Sequence, residues 1–205
     1  STRVRSSAAS DVYKRQNMVS VDGDTSTNDM VAILANGLAG NAEITAPGAD
    51  FTAFCRALNS VTVWLCRQIA GDGEGATRLL ECCVTGAADH GTAKTVAKSI
   101  ICSSLVKAAM FGADANWGRV LCAIGYSGAD VDVHKVDVAF RSAAGTVRVC
   151  VDGAGIPFSE EAAKQVLLEK EIEILVDLKS GDEGATAWGC DLTYDYVKIN
   201  GDYRT

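Results

Sequence analysis

Proline is nearly absent from this 205-residue chain, with two residues against twenty glycines. That balance excludes a proline-rich extended linker and predicts regular elements joined by tight glycine turns. Histidine is just as scarce, at two residues, His90 and His134. Zinc recruits Cys and His ligands in closely spaced pairs. The eight cysteines (Cys55, Cys66, Cys82, Cys83, Cys102, Cys122, Cys150 and Cys190) contain no CxxC pair, so no metal site is expected. Most lie in apolar runs such as "LLECCV" and "VLCAIG", which reads as free, buried thiols in a reducing compartment. No apolar run approaches the ~18 residues of a membrane span. The start of the chain lacks the apolar segment of a secretory signal, and a cytoplasmic location is expected. Clustered lysine and arginine are missing too, and the formal charge is −7, so nucleic acid is a poor partner. The GxSxG elbow, the P-loop and the GxGxxG fingerprint are absent.

What is present suffices for one sizeable core, with 48% hydrophobic residues. Residues 1–16, "STRVRSSAASDVYKRQ", carry Arg3, Arg5, Lys14 and Arg15 against Asp11 and show no periodicity. They read as a non-native or disordered arm, and residues 17–205 as a single domain. "NMVSV" and "MVAILAN" predict strands. "ADFTAFCRALNSVTVWLCRQIAG" has Phe51, Phe54, Leu58, Val61, Leu65 and Ile69 at helical spacing, with Asp50 placed as a cap. "TRLLECCVTGA" predicts a buried strand. "DHGTAKTVAKSIICSSLVKAAMFG" predicts one long helix ended by Gly112, and "GRVLCAIGYSG" another strand. "KVDVAFRSAAGTVRVCVDG" reads as a hairpin turning at Gly145. "SEEAAKQVLLEKE" reads as a short helix capped by Ser159. The final stretch, through "TYDYVKING", reads as strands around a glycine turn. The fold class is α/β, an α+β layered sandwich with mixed sheets between helices.

Four polar places stand out. "AGDGEGATR" sets Asp72 and Glu74 among Gly71, Gly73 and Gly75, a loop open to close approach of a ligand. It suits an ammonium or a cation, and equally a solvated turn. At the other end, "TYDYVKINGDYRT" carries Asn200 and Thr205, either a docked tail or an edge strand with a free end. Arg119, in "NWGR" after Asn116, has the fork geometry to bind a carboxylate or to tie down a loop. "DGDTSTND", from Asp22 to Asp29, packs hydroxyls and carboxyls between apolar runs and predicts a buried polar turn whose groups satisfy one another.

Taken together, "NMVSVDGDTSTNDMVAILANG", "GDGEGATR", "VKAAMFGADANWGRVLCAIGYSG" and "WGCDLTYDYVKINGDYRT" resemble the glutamate N-acetyltransferase/ornithine acetyltransferase family of arginine biosynthesis, over its β-chain region from Asn17 to Thr205. The resemblance implies the self-cleaving ornithine acetyltransferase-like fold. It also implies a precursor that cuts itself into α and β chains and assembles as (αβ)2. The new N-terminal threonine of β would carry acetyl from N-acetylornithine to glutamate through an acyl-enzyme, releasing ornithine and N-acetylglutamate. Oxyanion donors would come from the α chain. No cofactor is implied, with acetyl-CoA a candidate second acetyl donor. Position by position, the family's substrate contacts fall on Glu74, Asn200 and Thr205. The cleavage-site threonine lies upstream of the matched stretch, so this chain reads as an N-terminally truncated β chain lacking the nucleophile, with no catalytic residue assigned. A related N-terminal-nucleophile hydrolase and a non-catalytic fragment are the alternatives.

Overall fold

A computed structural model describes residues 17–24 and 31–202. The arm 1–16, residues 25–30 of the polar turn and Thr205 lie outside them. Chain order runs β1 (Val19–Ser20), α1 (Ala49–Gly71), β2 (Leu79–Ala87), α2 (His90–Cys102), α3 (Ser104–Phe111), α4 (Trp117–Gly125), β3 (Asp137–Ser142), β4 (Gly145–Val151), β5 (Ala154–Gly155), α5 (Glu160–Leu167), β6 (Glu171–Asp177), β7 (Glu183–Cys190) and α6 (Tyr194–Asp202).

The strands form one mixed sheet in the order β1-β7-β2-β6-β3-β4-β5. β2 lies inside the sheet, parallel to the central strand β6 and antiparallel to β7, and β1 is parallel to β7 at the edge. Period-two alternation sends Leu80, Cys82 and Val84 to one face of β2, and Ile172, Ile174 and Val176 to the same face of β6. α2 covers that face with Val96, Ala97, Ile100 and Ile101, all fully buried. Each buried valine or isoleucine among them contributes about 1.5–3 kcal/mol. α1 lies across the opposite face, where Arg67 pairs with Glu81 of β2 and, at 2.7 Å, with Glu171 of β6.

The layered α/β class is as expected, and so are β1, β2, the Gly145 hairpin of β3 and β4, and α5 with its Ser159 cap. Six local expectations fail. Residues 31–36 form no strand: they pair with no described neighbour, and Leu34 is 96% exposed. α1 is not capped by Asp50, which sits inside the first turn after Gly48. Nor does its large apolar stripe face the sheet. The buried face is Thr62, Cys66 and Ala70, small residues one turn apart that let the helix approach closely, while Phe54, Val61 and Trp64 stay exposed.

The long second helix breaks at Ser103, whose ψ of 112° leaves the helical region and whose hydroxyl accepts from Val106 N to start α3. Its end at Gly112 stands. "GRVLCAIG" is α4 and not a strand: Asn116 caps it by accepting from Arg119 N, and Val120, Ala123 and Ile124 bury one helical face. "TYDYVKING" is likewise helical, in α6. No disulfide joins any of the eight cysteines, but only Cys66, Cys82, Cys150 and Cys190 are buried, and Cys122 on α4 is exposed.

Candidate functional site

The glycine–acid loop leaves the end of α1 at Asp72 and enters β2 at Leu79. Its glycines are dictated by space. A Cβ on Gly73 would meet Cys190 Sγ at 2.8 Å and Val21 at 3.0 Å. Gly75 has φ +66°, and a Cβ there would meet the backbone N of Tyr196 at 2.7 Å. The loop therefore lies flat against β1, β7 and the first turn of α6, and Glu74 between the two glycines points outward.

Glu74 and Asn200 are brought together. Asn200 Nδ2 donates to Glu74 Oε2 at 2.7 Å and to Tyr196 O at 3.0 Å. Tyr196 in turn donates its hydroxyl to Asp22 Oδ2 at 3.0 Å, and Asp22 Oδ1 accepts from Asp24 N at 2.9 Å. Partial burial, then the hydrogen bond and charge of Asp22, raises the Tyr196 phenol above its ordinary value, so it stays a donor at neutral pH. Asp22, Gly23 and Asp24 are exposed. The described part of "DGDTSTND" is thus a solvent-facing rim and not the buried turn expected; Thr25 to Asp29 lie outside the described residues.

A cleft of about 1460 Å³ is walled by Asp22, Asp24, Asp72, Glu74 and Asn200, with Lys98 of α2 and Lys170 also in its lining. Arg67 and Arg78, also in the lining, are occupied by Glu81 and Glu171 and by Asp191. Lys98 donates to Val19 O at 2.6 Å, and burial lowers its ammonium below the usual lysine value. The acidic wall suits an ammonium group on a small ligand.

The other sequence candidates sit apart from this wall. Arg119 donates to Leu105 O at 2.9 Å, tying α4 to α3. His90 opens α2 and its Nδ1 lies 2.9 Å from Gly184 O; His134 sits in a single 3-10 turn. Among the described residues no group of three or more His, Cys, Asp or Glu is placed to hold a metal ion, and no helix is long and apolar enough to cross a membrane. Asp22 enters the site from the polar turn, whereas Tyr196, Asp191 and Thr193 are not among the sequence candidates. The signal for Asp191 and Thr193 was a polar pair directly after an apolar strand.

Fold and site together define an α/β protein with an acidic cleft built by one glycine loop and one C-terminal helix. A sequence model of the ArgJ family matches residues 2–205, and the chain belongs to that family. It is 54% identical over 189 residues to "Arginine biosynthesis bifunctional protein ArgJ 1" of Clostridium acetobutylicum, covering 92% of this chain and 46% of that protein. It is 50% identical over 191 residues to "Glutamate N-acetyltransferase" of Methanopyrus kandleri, covering 92% of this chain and 48% of that protein. The solved structure of arginine biosynthesis bifunctional protein argJ from Bacillus halodurans superposes with a TM-score of 0.89 at 47% identity, over 96% of this chain and 91% of that one. The chain thus spans about half the length of the curated relatives it matches.

Proposed function

We propose that this chain is the substrate-holding half of an acetyltransferase that moves acetyl from N-acetylornithine to glutamate in arginine biosynthesis, releasing ornithine and N-acetylglutamate. The observation that carries the reading is the Asn200–Glu74 hydrogen bond at 2.7 Å on the cleft wall. Two positions 126 residues apart, both matching substrate contacts of the family, meet on one surface. Glu74 pairs with the substrate ammonium, Asn200 holds the Glu74 carboxylate in place and offers its amide to the ligand, and Thr205, outside the described residues, is the third contact that the resemblance implies.

The nucleophile is a threonine hydroxyl contributed by the part of the family length that this chain does not span, and oxyanion donors come from the same part. The hydroxyl oxygen attacks the acetyl carbonyl and ornithine leaves with a proton on its amine; the glutamate amine then takes the acetyl from the threonyl ester. Acyl transfer of this kind needs no electron carrier, so the reading includes no resident cofactor, and acetyl-CoA enters as an alternative acetyl donor. Residues 17–205 act as one β-chain domain paired with an α chain of the same precursor, in an (αβ)2 assembly. Family membership favours transfer over the hydrolytic alternative.

The test is a chimera in which this chain replaces its matching segment in the Clostridium acetobutylicum relative. Acetyl transfer from N-acetylornithine to labelled glutamate is expected from the chimera. In it, Glu74→Gln should raise the KM for both amino acids by roughly ten- to a hundredfold, the worth of a charge-assisted hydrogen bond. Unchanged KM values would overturn the role of Glu74.

A further inference from the structure

The turn between β7 and α6 grips both halves of the cleft wall. Asp191, whose side chain is fully buried, accepts through Oδ1 from Thr77 N at 2.8 Å and Arg78 N at 3.0 Å, and through Oδ2 from Thr77 Oγ1 at 2.5 Å. Arg78 Nη1 lies 3.6 Å from Oδ2 and also donates to the carbonyls of Met110 and Phe111 at 3.0 and 2.8 Å. The far end of the glycine–acid loop is therefore clamped to the start of the turn and to the end of α3. Two residues on, the buried Thr193 donates its hydroxyl to Gly75 O at 2.7 Å and accepts from Tyr196 N at 3.2 Å in the geometry of a helix cap. One hydroxyl thus joins the residue after Glu74 to the first turn of the helix that carries Asn200.

The base of this turn is itself fixed. Lys107, 2% exposed, donates to Cys190 O and lies 3.6 Å from Cys190 Sγ, while Leu192 N donates to Lys107 O at 3.3 Å. A rigid base matters because Glu74 and Asn200 are themselves exposed side chains. An exposed pair keeps one geometry only if the backbones beneath it do.

We infer that Thr193 and Asp191 are positioning residues: they set the Glu74 loop against α6 so that Glu74 and Asn200 present one ligand-binding geometry. The inference rests on the proposed role of Glu74. Thr193 is the sharper probe, because valine replaces its hydroxyl by a methyl at nearly equal volume, and serine keeps the hydroxyl.

The experiment uses the chimera described above and compares Thr193→Val, Thr193→Ser, Thr77→Val, Glu74→Gln and the double variant Thr193→Val with Glu74→Gln. Thr193→Val is expected to raise the KM for glutamate and N-acetylornithine by roughly three- to tenfold, the loss of one buried hydrogen bond. Its kcat should stay within about twofold. Thr77→Val should move the KM in the same direction, and Thr193→Ser should restore it. In the double variant, Thr193→Val should raise the KM of Glu74→Gln by less than it raises the KM alone, because the part of its effect that runs through Glu74 has nothing left to position. Additive effects, a fall in kcat at constant KM, or loss of a cooperative melt in both valine variants would overturn the inference, the last by showing that the turn holds the fold and not the site. If Glu74→Gln alone leaves KM unchanged, the role of Glu74 fails and the inference falls with it. If Glu74→Gln acts and Thr193→Val adds its full separate effect to it, only the inference falls.

Discussion

Asn200 of α6 donates its side-chain amide to the carboxylate of Glu74 at 2.7 Å, across 126 positions of chain. The donor is neutral and the acceptor charged, so the pair orients Glu74 without cancelling its charge. The carboxylate keeps a second oxygen for a ligand ammonium.

Asn200→Asp tests that relationship directly. The substitution replaces a donor by a second carboxylate within hydrogen-bond distance of the first. Like charges so close raise one of the two carboxyl pKa values. Acetyl transfer by the chimera should fall strongly at pH 7.5 and recover in part as pH drops through the raised value and one carboxyl takes a proton. A pH–rate profile parallel to that of the unsubstituted chimera would contradict the geometry.

The glycine loop gives a steric counterpart. Gly75→Ala adds a Cβ 2.7 Å from Tyr196 N at a φ of +66°, so α6 must move or the loop must re-form. Both the strain and the displacement fall on the Glu74–Asn200 pair, and the KM of the chimera should rise by about tenfold or more, as expected for a group displaced from a productive geometry. Gly71→Ala is the control. It ends α1 with nothing within 4 Å of the new Cβ, and alanine in place of helical glycine should stabilise by up to about 1 kcal/mol. Equal effects of the two substitutions on KM would show that the loop tolerates crowding.

How much of this was legible in the sequence depended on which forces left a local trace. β2, the Gly145 hairpin and the capped α5 were readable because alternation, a turn glycine and a serine cap act within a few residues. "GRVLCAIG" misled because its short apolar run suits either period, and what decides for α4 is the Asn116 cap before it. α1 misled in the opposite sense. Its large residues kept a clean helical period, yet the sheet selected the small face of Thr62, Cys66 and Ala70. Likeness to a family implies Glu74 and Asn200 as substrate contacts, whereas it names neither Thr193 nor Asp191, and the loop groups that those two hold lie more than a hundred residues away.

An acid-limb prediction follows from Asp137, at the start of β3. Burial works to raise its carboxyl, but Lys179 Nζ at 2.5 Å, Asp152 N at 2.9 Å and Arg148 at 3.0 Å outweigh that and hold it below the ordinary aspartate value. A depressed folded value contributes stability that is fully present above the unfolded value, about 3.9, and lost as pH falls through the folded one. Asp137→Asn should therefore lower the chimera's melting temperature at neutral pH and make its decline below about pH 4 shallower than that of the unsubstituted protein. Parallel declines would mean that the Lys179–Asp137–Arg148 cluster contributes nothing to acid sensitivity.

The outward face of α1 makes the last prediction. Phe54, Val61 and Trp64 are 44%, 54% and 59% exposed along one helix, and Leu34 and Leu38 nearby in sequence are 96% and 82% exposed. Scattered exposed apolar residues are ordinary, but a tryptophan with two further large side chains on one helical face marks a surface that packs against something. The chain spans about half the length of its curated relatives, and the remaining half is the proposed cover. Trp188 is buried and Trp117 packs against the core, so Trp64 is the tryptophan whose surroundings change most on association. Mixing this chain with the complementary part of the Clostridium acetobutylicum relative should shift tryptophan emission to the blue, and Trp64→Phe should remove most of the shift. Trp64→Ala should weaken the association by about 2 kcal/mol, as a central aromatic anchor does. An emission spectrum unchanged on mixing, alongside proof by sedimentation that the two parts associate, would place the contact elsewhere and leave the α1 face open to solvent.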